Sequence, residues 1–293
     1  MLAALLKYFG NYSASARVLF PLCFLLLCVG FLYIQNVITI PSGPDLCKIW
    51  KERSSNHVNR AEDKQWWEWV CQLEREWDKK PEYSCADKRD IGNYQACFDE
   101  PYKPSPPCLV YSFGVNNDFR FDDKMAKLGC HVYAFDPSMN VASYNRSERV
   151  HFINIGIGTS NSDSFQPKLD GYNTDLDKKW QIRTLASIKK MLGHENKVLD
   201  ILKMDIETYE WKVVMQLLED KSFMSAKQLL IEWHIFSNEP MRTDFPDMYR
   251  TYMRLKMKGW RQFYSRVDSR HHTNEYFNSQ MDNGLVNTAF TRY

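Results

Sequence analysis

Four carboxylates and one histidine stand where an open α/β sheet does its chemistry, just past the carboxyl ends of strands. Asp136 ends the apolar run His131–Asp136. Asp205 and Glu207 follow the run Val198–Met204, in Lys203-Met-Asp-Ile-Glu207. Glu232 and His234 stand at the end of Gln228–Ile235. An acid at the end of a second strand is placed to accept hydrogen bonds from ribose hydroxyls. Asp205, Glu207 or His234 could take the proton of an oxygen nucleophile, and Glu232 is placed similarly. Each has a plainer role as well. Negative charge near the N-terminus of the following helix is worth about 0.3–1 kcal/mol, which could account for Asp205 and Glu207. His234, beside Trp233, could be a hydrogen-bonded core residue. Asp136 has few such explanations.

A loop must bring a ligand to these groups. Gly114, Asn116 and Asp118 follow the apolar run Leu109–Phe113. A strand, a turn with one glycine, a helix and a second strand ending in an acid make the first half of a nucleotide-binding unit. A pyrophosphate needs a glycine-rich turn that brings a helix N-terminus against it. Here Gly114 is followed by Asn116 and Asn117, which favours a ligand without phosphates.

Alternating periodicities supply the rest of the frame. Leu109–Phe113, His131–Asp136, Val150–Ile157, Val198–Met204 and Gln228–Ile235 are predicted strands. Helices are predicted from Asp118 to Leu128, Arg183 to Leu192, Tyr209 to Leu218 and Asp244 to Lys258; Gly129, Gly193 and Gly259 stop three of them. Trp260–Val267 and Leu285–Arg292 alternate polar and apolar residues, as an antiparallel pair would. The result is an α/β fold with a mostly parallel sheet and helices on both faces.

The 293-residue chain suffices for one sizeable domain with appendages. A net charge of +2 gives no case for a nucleic-acid partner. Residues 18–40 read as a signal anchor, with Lys7 and Arg17 before it and no charge after it until Asp45. That arrangement implies a type II membrane protein, with a cytoplasmic tail at 1–17 and the remainder in the lumen of the Golgi or another secretory compartment; cleavage of the segment would make it secreted. Residues 41–107 read as a stem. They carry a helix at His57–Lys80 with an apolar stripe of Trp66, Val70, Leu73 and Trp77, and they end in a proline-dense boundary before a domain at 108–293. The helix is expected to pack on that domain. Six of the eight cysteines lie beyond the apolar segment and suggest disulfides, mainly before residue 108, with Cys130 a candidate free thiol. No metal is assigned, because no Cys-x-x-Cys or matching histidine pair is present. Asn145-Arg-Ser147 is a glycosylation acceptor sequence.

The run from Cys108 onward resembles the FkbM-type S-adenosylmethionine-dependent methyltransferases, especially the methyltransferase-like protein 24 group of animals. The resemblance rests on Ser112-Phe-Gly-Val-Asn-Asn-Asp118, Ala134-Phe-Asp-Pro137, Leu202-Lys-Met-Asp-Ile-Glu207 with Glu210-Trp211, Glu232-x-His234 and Gly259-Trp-Arg-Gln-Phe-Tyr-Ser-Arg266. It implies a class I, Rossmann-like sheet of seven strands, mostly parallel, with the last strand antiparallel. It implies S-adenosylmethionine as cofactor, with Gly114 and Asn116 near its amino-acid part, Asp118 beside them, and Asp136 on its ribose. Asp205 and Glu207 would face the substrate. Two departures stand out. Thr208-Tyr209 replaces a usual Gly-Ala, and Asn116 stands where glycine is common. Tyr209 could narrow or block the pocket.

The expected reaction is O-methylation of a sugar or other hydroxyl, suggested by the lumenal topology and the 14% aromatic content. The alternatives are a methyltransferase fold kept as a binding module, a glycosyltransferase using Asp175-Leu-Asp177 as a metal-binding motif, and a dehydrogenase.

Overall fold

The central strands are too apolar to face water on either side, and this fixes the layering. The computed structural model describes residues 47, 50, 64–171, 173–220, 222–236, 239–268, 277 and 280–290. The chain divides into units 1–45 and 46–293, and every described residue lies in the second. The proposed anchor at 18–40 and the tail before it fall outside the described residues. Among the described residues no helix is long and apolar enough to cross a membrane.

In chain order, α1 (Trp66–Trp77) precedes a hairpin of β1 (Lys88–Ile91) and β2 (Tyr94–Cys97). Then come β3 (Cys108–Phe113), α2 (Arg120–Lys127), β4 (Cys130–Phe135), β5 (Tyr144–Asn145) and β6 (Val150–Ile153). They are followed by β7 (Gly156–Ile157), β8 (Ser162–Phe165), β9 (Trp180–Arg183), α3 (Leu185–Met191) and β10 (Leu199–Met204). The chain continues through α4 (Glu210–Asp220), β11 (Ala226–His234), α5 (Phe245–Met257), β12 (Trp260–Asp268) and β13 (Gln280–Asn287).

The main sheet runs β12-β13-β11-β10-β3-β4-β6-β5. β3 is parallel to both β10 and β4, and β10 is parallel to β11. β13 is inserted antiparallel between β11 and β12, the reversed final strand that the resemblance implies. The seven expected strands are all present, but among the described residues the sheet has eight, because β5 adds a two-residue antiparallel edge. Asn145, in that edge strand, is exposed.

Strand alternation deals side chains to two cores. Tyr111, Phe113, Leu202, Met204, Leu229 and Ile231 face α1, α3, α4 and α5. Val110, Ile201 and Leu230 face α2 and the β1–β2 hairpin. The segment read as a stem therefore covers both faces of the sheet. Trp77 of α1 stacks on Trp211 at 6.4 Å, and Trp211 meets Trp233 of β11 at 4.2 Å. The described helix begins at Trp66, where the Glu68 carboxylate accepts the Gln65 amide at 2.7 Å, and the predicted stretch at 57–63 lies outside the described residues.

Several boundaries move. The strand predicted at Val150–Ile157 breaks after Ile153, and Gly156–Ile157 joins a separate three-stranded sheet, β7-β9-β8. The final strand lies at Gln280–Asn287, not Leu285–Arg292. The helix expected from Asp118 begins at Arg120.

Cys130 is not free. The described residues hold three disulfides: Cys47–Cys71, Cys85–Cys97 and Cys108–Cys130. The last joins register partners at the start of neighbouring parallel strands. A bridge closing a loop of 22 residues constrains the unfolded chain by about 3 kcal/mol. The double variant Cys108→Ala, Cys130→Ala is expected to lose about that much in chemical denaturation.

Asp122 of α2 is buried, and one of its oxygens has no hydrogen-bond partner among the described residues. Burial pushes its carboxyl up to about 6. A folded-state value above the unfolded one means that the native chain binds the extra proton, so stability falls as pH rises from about 4 to about 6. Asp122→Asn is expected to remove that slope and to stabilise the protein by about 1–3 kcal/mol at pH 7, measured by urea unfolding across pH.

Candidate active site

A cavity of about 370 Å³ opens past the carboxyl ends of β3, β4 and β10. Its apolar wall includes Phe113, Phe135, Ile157, Phe165, Trp180 and Ile182. Five carboxylates line it, from Asp118, Asp136, Asp170, Asp205 and Glu207, against the amines of Lys203 and Lys212. A cavity of that size, apolar on one side and acidic on the other, suits a ligand with an aromatic face and positive charge.

The loop after β3 is held from three sides. Gly114 donates its amide to the Phe135 carbonyl at 3.0 Å and has φ +79°, a conformation that glycine adopts without strain. Asn116 and Asn117 are also left-handed, with φ of 42° and 62°. Lys203, buried in β10, donates its ammonium to the Gly114 carbonyl. Asp136 supplies the third hold. One of its oxygens accepts the Val115 and Asn116 amides, both at 2.8 Å. The other accepts the Ser138 amide at 2.8 Å and the Ser138 hydroxyl at 2.6 Å. Asp136 lines the cavity, yet loop donors occupy both its oxygens. Asp118 also lines it, with its carboxylate turned to Arg120 Nε at 2.8 Å.

The turn after β10 carries Glu207 and Thr208 at φ 56° and 76°. A β-branched residue is strained there. Lys168 holds the turn, donating to the Glu207 carbonyl at 2.9 Å and the Thr208 hydroxyl at 2.8 Å. Tyr209 packs on Phe165 at 5.7 Å and forms cavity wall, so it narrows the space without filling it.

Asp205 and Glu207 reach the cavity; Glu232 and His234 sit behind them. His234 is completely buried, and its Nδ1 lies 2.9 Å from Glu210 Oε1. Its Nε2 faces Glu232 at 3.7 Å and Asp205 and Glu207 at 3.9 Å each. Burial works against a charged His234, but the carboxylates of Glu210, Glu207 and Asp205 outweigh it and raise the imidazole above its ordinary value. Burial and then the Asp205 charge raise the Glu232 carboxyl.

The sequence reading missed three site groups. Tyr94, 111 residues before Asp205, donates its hydroxyl to Asp205 Oδ2 at 3.0 Å. Glu210 orients His234 and also accepts the Ile206 amide at 2.7 Å. Lys203 had a visible signal, a lysine inside a mostly apolar strand that also carries Asp200. Asp175 and Asp177 do not line the cavity; the Asp177 amide bonds the Asp175 carboxylate at 2.9 Å in an exposed turn.

A family described as a methyltransferase domain matches residues 45–278. The rat (Rattus norvegicus) protein named probable methyltransferase-like protein 24 is 31% identical over 129 residues, 44% of this chain and 33% of the rat protein. Its human (Homo sapiens) counterpart is 28% identical over 148 residues, 48% of this chain and 38% of the human protein. The matched stretch thus spans 33% and 38% of these relatives' lengths. Among solved structures, the 16S rRNA (adenine(1408)-N(1))-methyltransferase of Catenulisporales acidiphilia aligns over 69% of this chain and 98% of its own, with a TM-score of 0.30 and 11% identity. That score is too low to bear on the site.

Proposed function

Because the chain belongs to the methyltransferase domain family, with S-adenosylmethionine as its cofactor, we propose that it methylates a hydroxyl acceptor. The observation that carries this reading is the acidic wall of the cavity, where Asp205 and Glu207 stand at the end of β10. When bound, the cofactor supplies an electrophilic methyl group on a sulfonium.

The chain's own residues do the remainder. The apolar wall of Phe135, Ile157 and Ile182 would hold the base, and the Gly114–Asn116 turn would hold the amino-acid end. Asp136 fixes that turn. A ribose hydroxyl can take the place of the Ser138 hydroxyl, a rotatable donor at the cavity wall. Glu207 or Asp205 accepts the proton that the acceptor oxygen loses. Alignment of acceptor and methyl group in a closed site contributes several kcal/mol.

The acceptor class is a sugar or another hydroxyl of the secretory pathway. An anchor at 18–40 and a lumenal domain complete the reading, supported by the three disulfides, which persist in oxidising compartments. Calorimetric titration of the protein with S-adenosylmethionine and with NAD tests the first step. Binding of the former alone is expected, and preference for NAD overturns the reading. Release of S-adenosylhomocysteine across a panel of glycan and small hydroxyl acceptors tests the second.

A further inference from the structure

We propose that Asp205, Glu232 and His234 form a divalent-cation site at the ends of β10 and β11, beside the cofactor cavity. Each of the three offers one ligand atom, and these atoms lie within 4.8 Å of one another. An acidic cluster alone would not define a site. The second observation is the imidazole. His234 is completely buried, its Nε2 has no hydrogen-bond partner among the described residues, and that nitrogen points into the cluster.

The outer contacts are those of a metal centre. Glu210 sits 2.9 Å from Nδ1, which places the proton there and turns the Nε2 lone pair inward. Tyr94 holds Asp205 by Oδ2, leaving Oδ1 toward His234. A lone pair aimed at carboxylates is repulsive unless a positive charge lies between them. A protonated imidazole would also supply that charge. It would then draw one carboxylate to about 2.7–2.9 Å. Instead three carboxylates stand 3.7, 3.9 and 3.9 Å from Nε2, and two of them, from Asp205 and Glu232, also lie within 4.8 Å of each other. Metal–ligand bonds of about 2.0–2.2 Å put neighbouring donors about 3.0–3.4 Å apart, so a modest contraction closes the shell. One imidazole with carboxylates suits Mn²⁺ or Zn²⁺ rather than a soft ion.

The role of the cation rests on the methyl-transfer reading: it would take the acceptor oxygen as a further ligand and lower the pKa of its proton. The oxygen–carbon bond forms as the carbon–sulfur bond breaks, the electron pair returns to sulfur, and the proton passes to Glu207 and then to solvent. Atoms and charge balance without another reactant.

The test uses the full chain, stripped with a chelator and titrated with Mn²⁺ by calorimetry. A single Mn²⁺ per chain is expected, with affinity lowered at least about tenfold in Glu232→Gln and further in His234→Gln. S-adenosylmethionine is titrated into the same samples. Unchanged cofactor binding in Glu232→Gln shows an intact fold, even if the buried His234 variant fails to fold. Cofactor binding with no cation uptake by the wild type, or equal uptake by Glu232→Gln, overturns the cation site alone. Cation uptake without cofactor binding overturns the methyl-transfer reading and the role given to the cation.

Discussion

Gly114→Ala is expected to weaken cofactor binding on the order of 100-fold. A methyl group at this position would lie 1.7 Å from the Asp205 carbonyl oxygen and 2.8 Å from its carbonyl carbon. Both atoms belong to backbone, so no rotamer change relieves the clash. The two strands cannot part either. The Asp205 amide donates to the Phe113 carbonyl at 3.1 Å, and the Gly114 amide to Phe135 at 3.0 Å. Relief requires breaking the β3–β10 or β3–β4 pairing just where the loop turns into the cavity. The left-handed φ of +79° adds strain for any residue with a Cβ. A displacement of about 1 Å at a binding loop costs on the order of 100-fold, and unfolding stability should fall by about 2–5 kcal/mol. Calorimetry with S-adenosylmethionine and urea unfolding measure the two effects. A variant that binds like the wild type would show that the loop does not hold the cofactor.

The same geometry separates what the sequence made legible from what it hid. Leu109–Phe113 and the run ending at Met204 were readable because parallel strands are buried on both faces and show as mainly apolar runs, here interrupted by Ser112, Asp200 and Lys203. Gly129, Gly193 and Gly259 were readable as helix stops, and all three have positive φ. The reversed final strand was legible as a pattern but displaced in position. Its first half is polar, and Asp282 and Asn283 are nonetheless buried. Asp282 is paired with Arg266 Nε at 2.8 Å, and Asn283 donates to the Gln262 side chain at 3.0 Å. No local pattern announces a buried polar strand whose partners lie on its neighbour. β8 and β9 were missed for a related reason, because both are short and neither carries an apolar run.

The site was half legible. Gly114, Asn116, Asp136, Asp205 and Glu207 do meet at one cavity. Glu232 and His234 were placed with them but lie one layer back, and their meaning changed with the geometry. His234 alone could be a satisfied core residue; with Nδ1 on Glu210 and Nε2 facing three carboxylates it is only half satisfied. Tyr94 and the Cys108–Cys130 bridge were beyond reach because register between strands far apart in sequence is not written in either strand.

Asp136→Asn carries the other large expected effect, and it separates two roles for this carboxylate. As a ribose acceptor, Asp136 would matter only when cofactor is bound. As the anchor of the loop, it matters in the free protein as well. The contacts favour a substantial anchoring share. Four donors converge on two oxygens, and three of them are backbone amides that have no other acceptor assigned among the described residues. An asparagine keeps one oxygen and turns an NH₂ group toward donors. At least one pair of contacts is lost, and each buried donor left unpaired costs about 1–3 kcal/mol. Stability should therefore fall by about 2–5 kcal/mol without any ligand, and cofactor affinity by about 100-fold, because the Gly114–Asn116 turn is released. Ser138→Ala is the control. It removes only the hydroxyl contact at 2.6 Å, costs about 1 kcal/mol, and leaves the position that a ribose hydroxyl would occupy. Unfolding curves with and without S-adenosylmethionine decide between the roles. If Asp136→Asn is as stable as the wild type when free and weak only in binding, the carboxylate acts on the ribose and not on the loop.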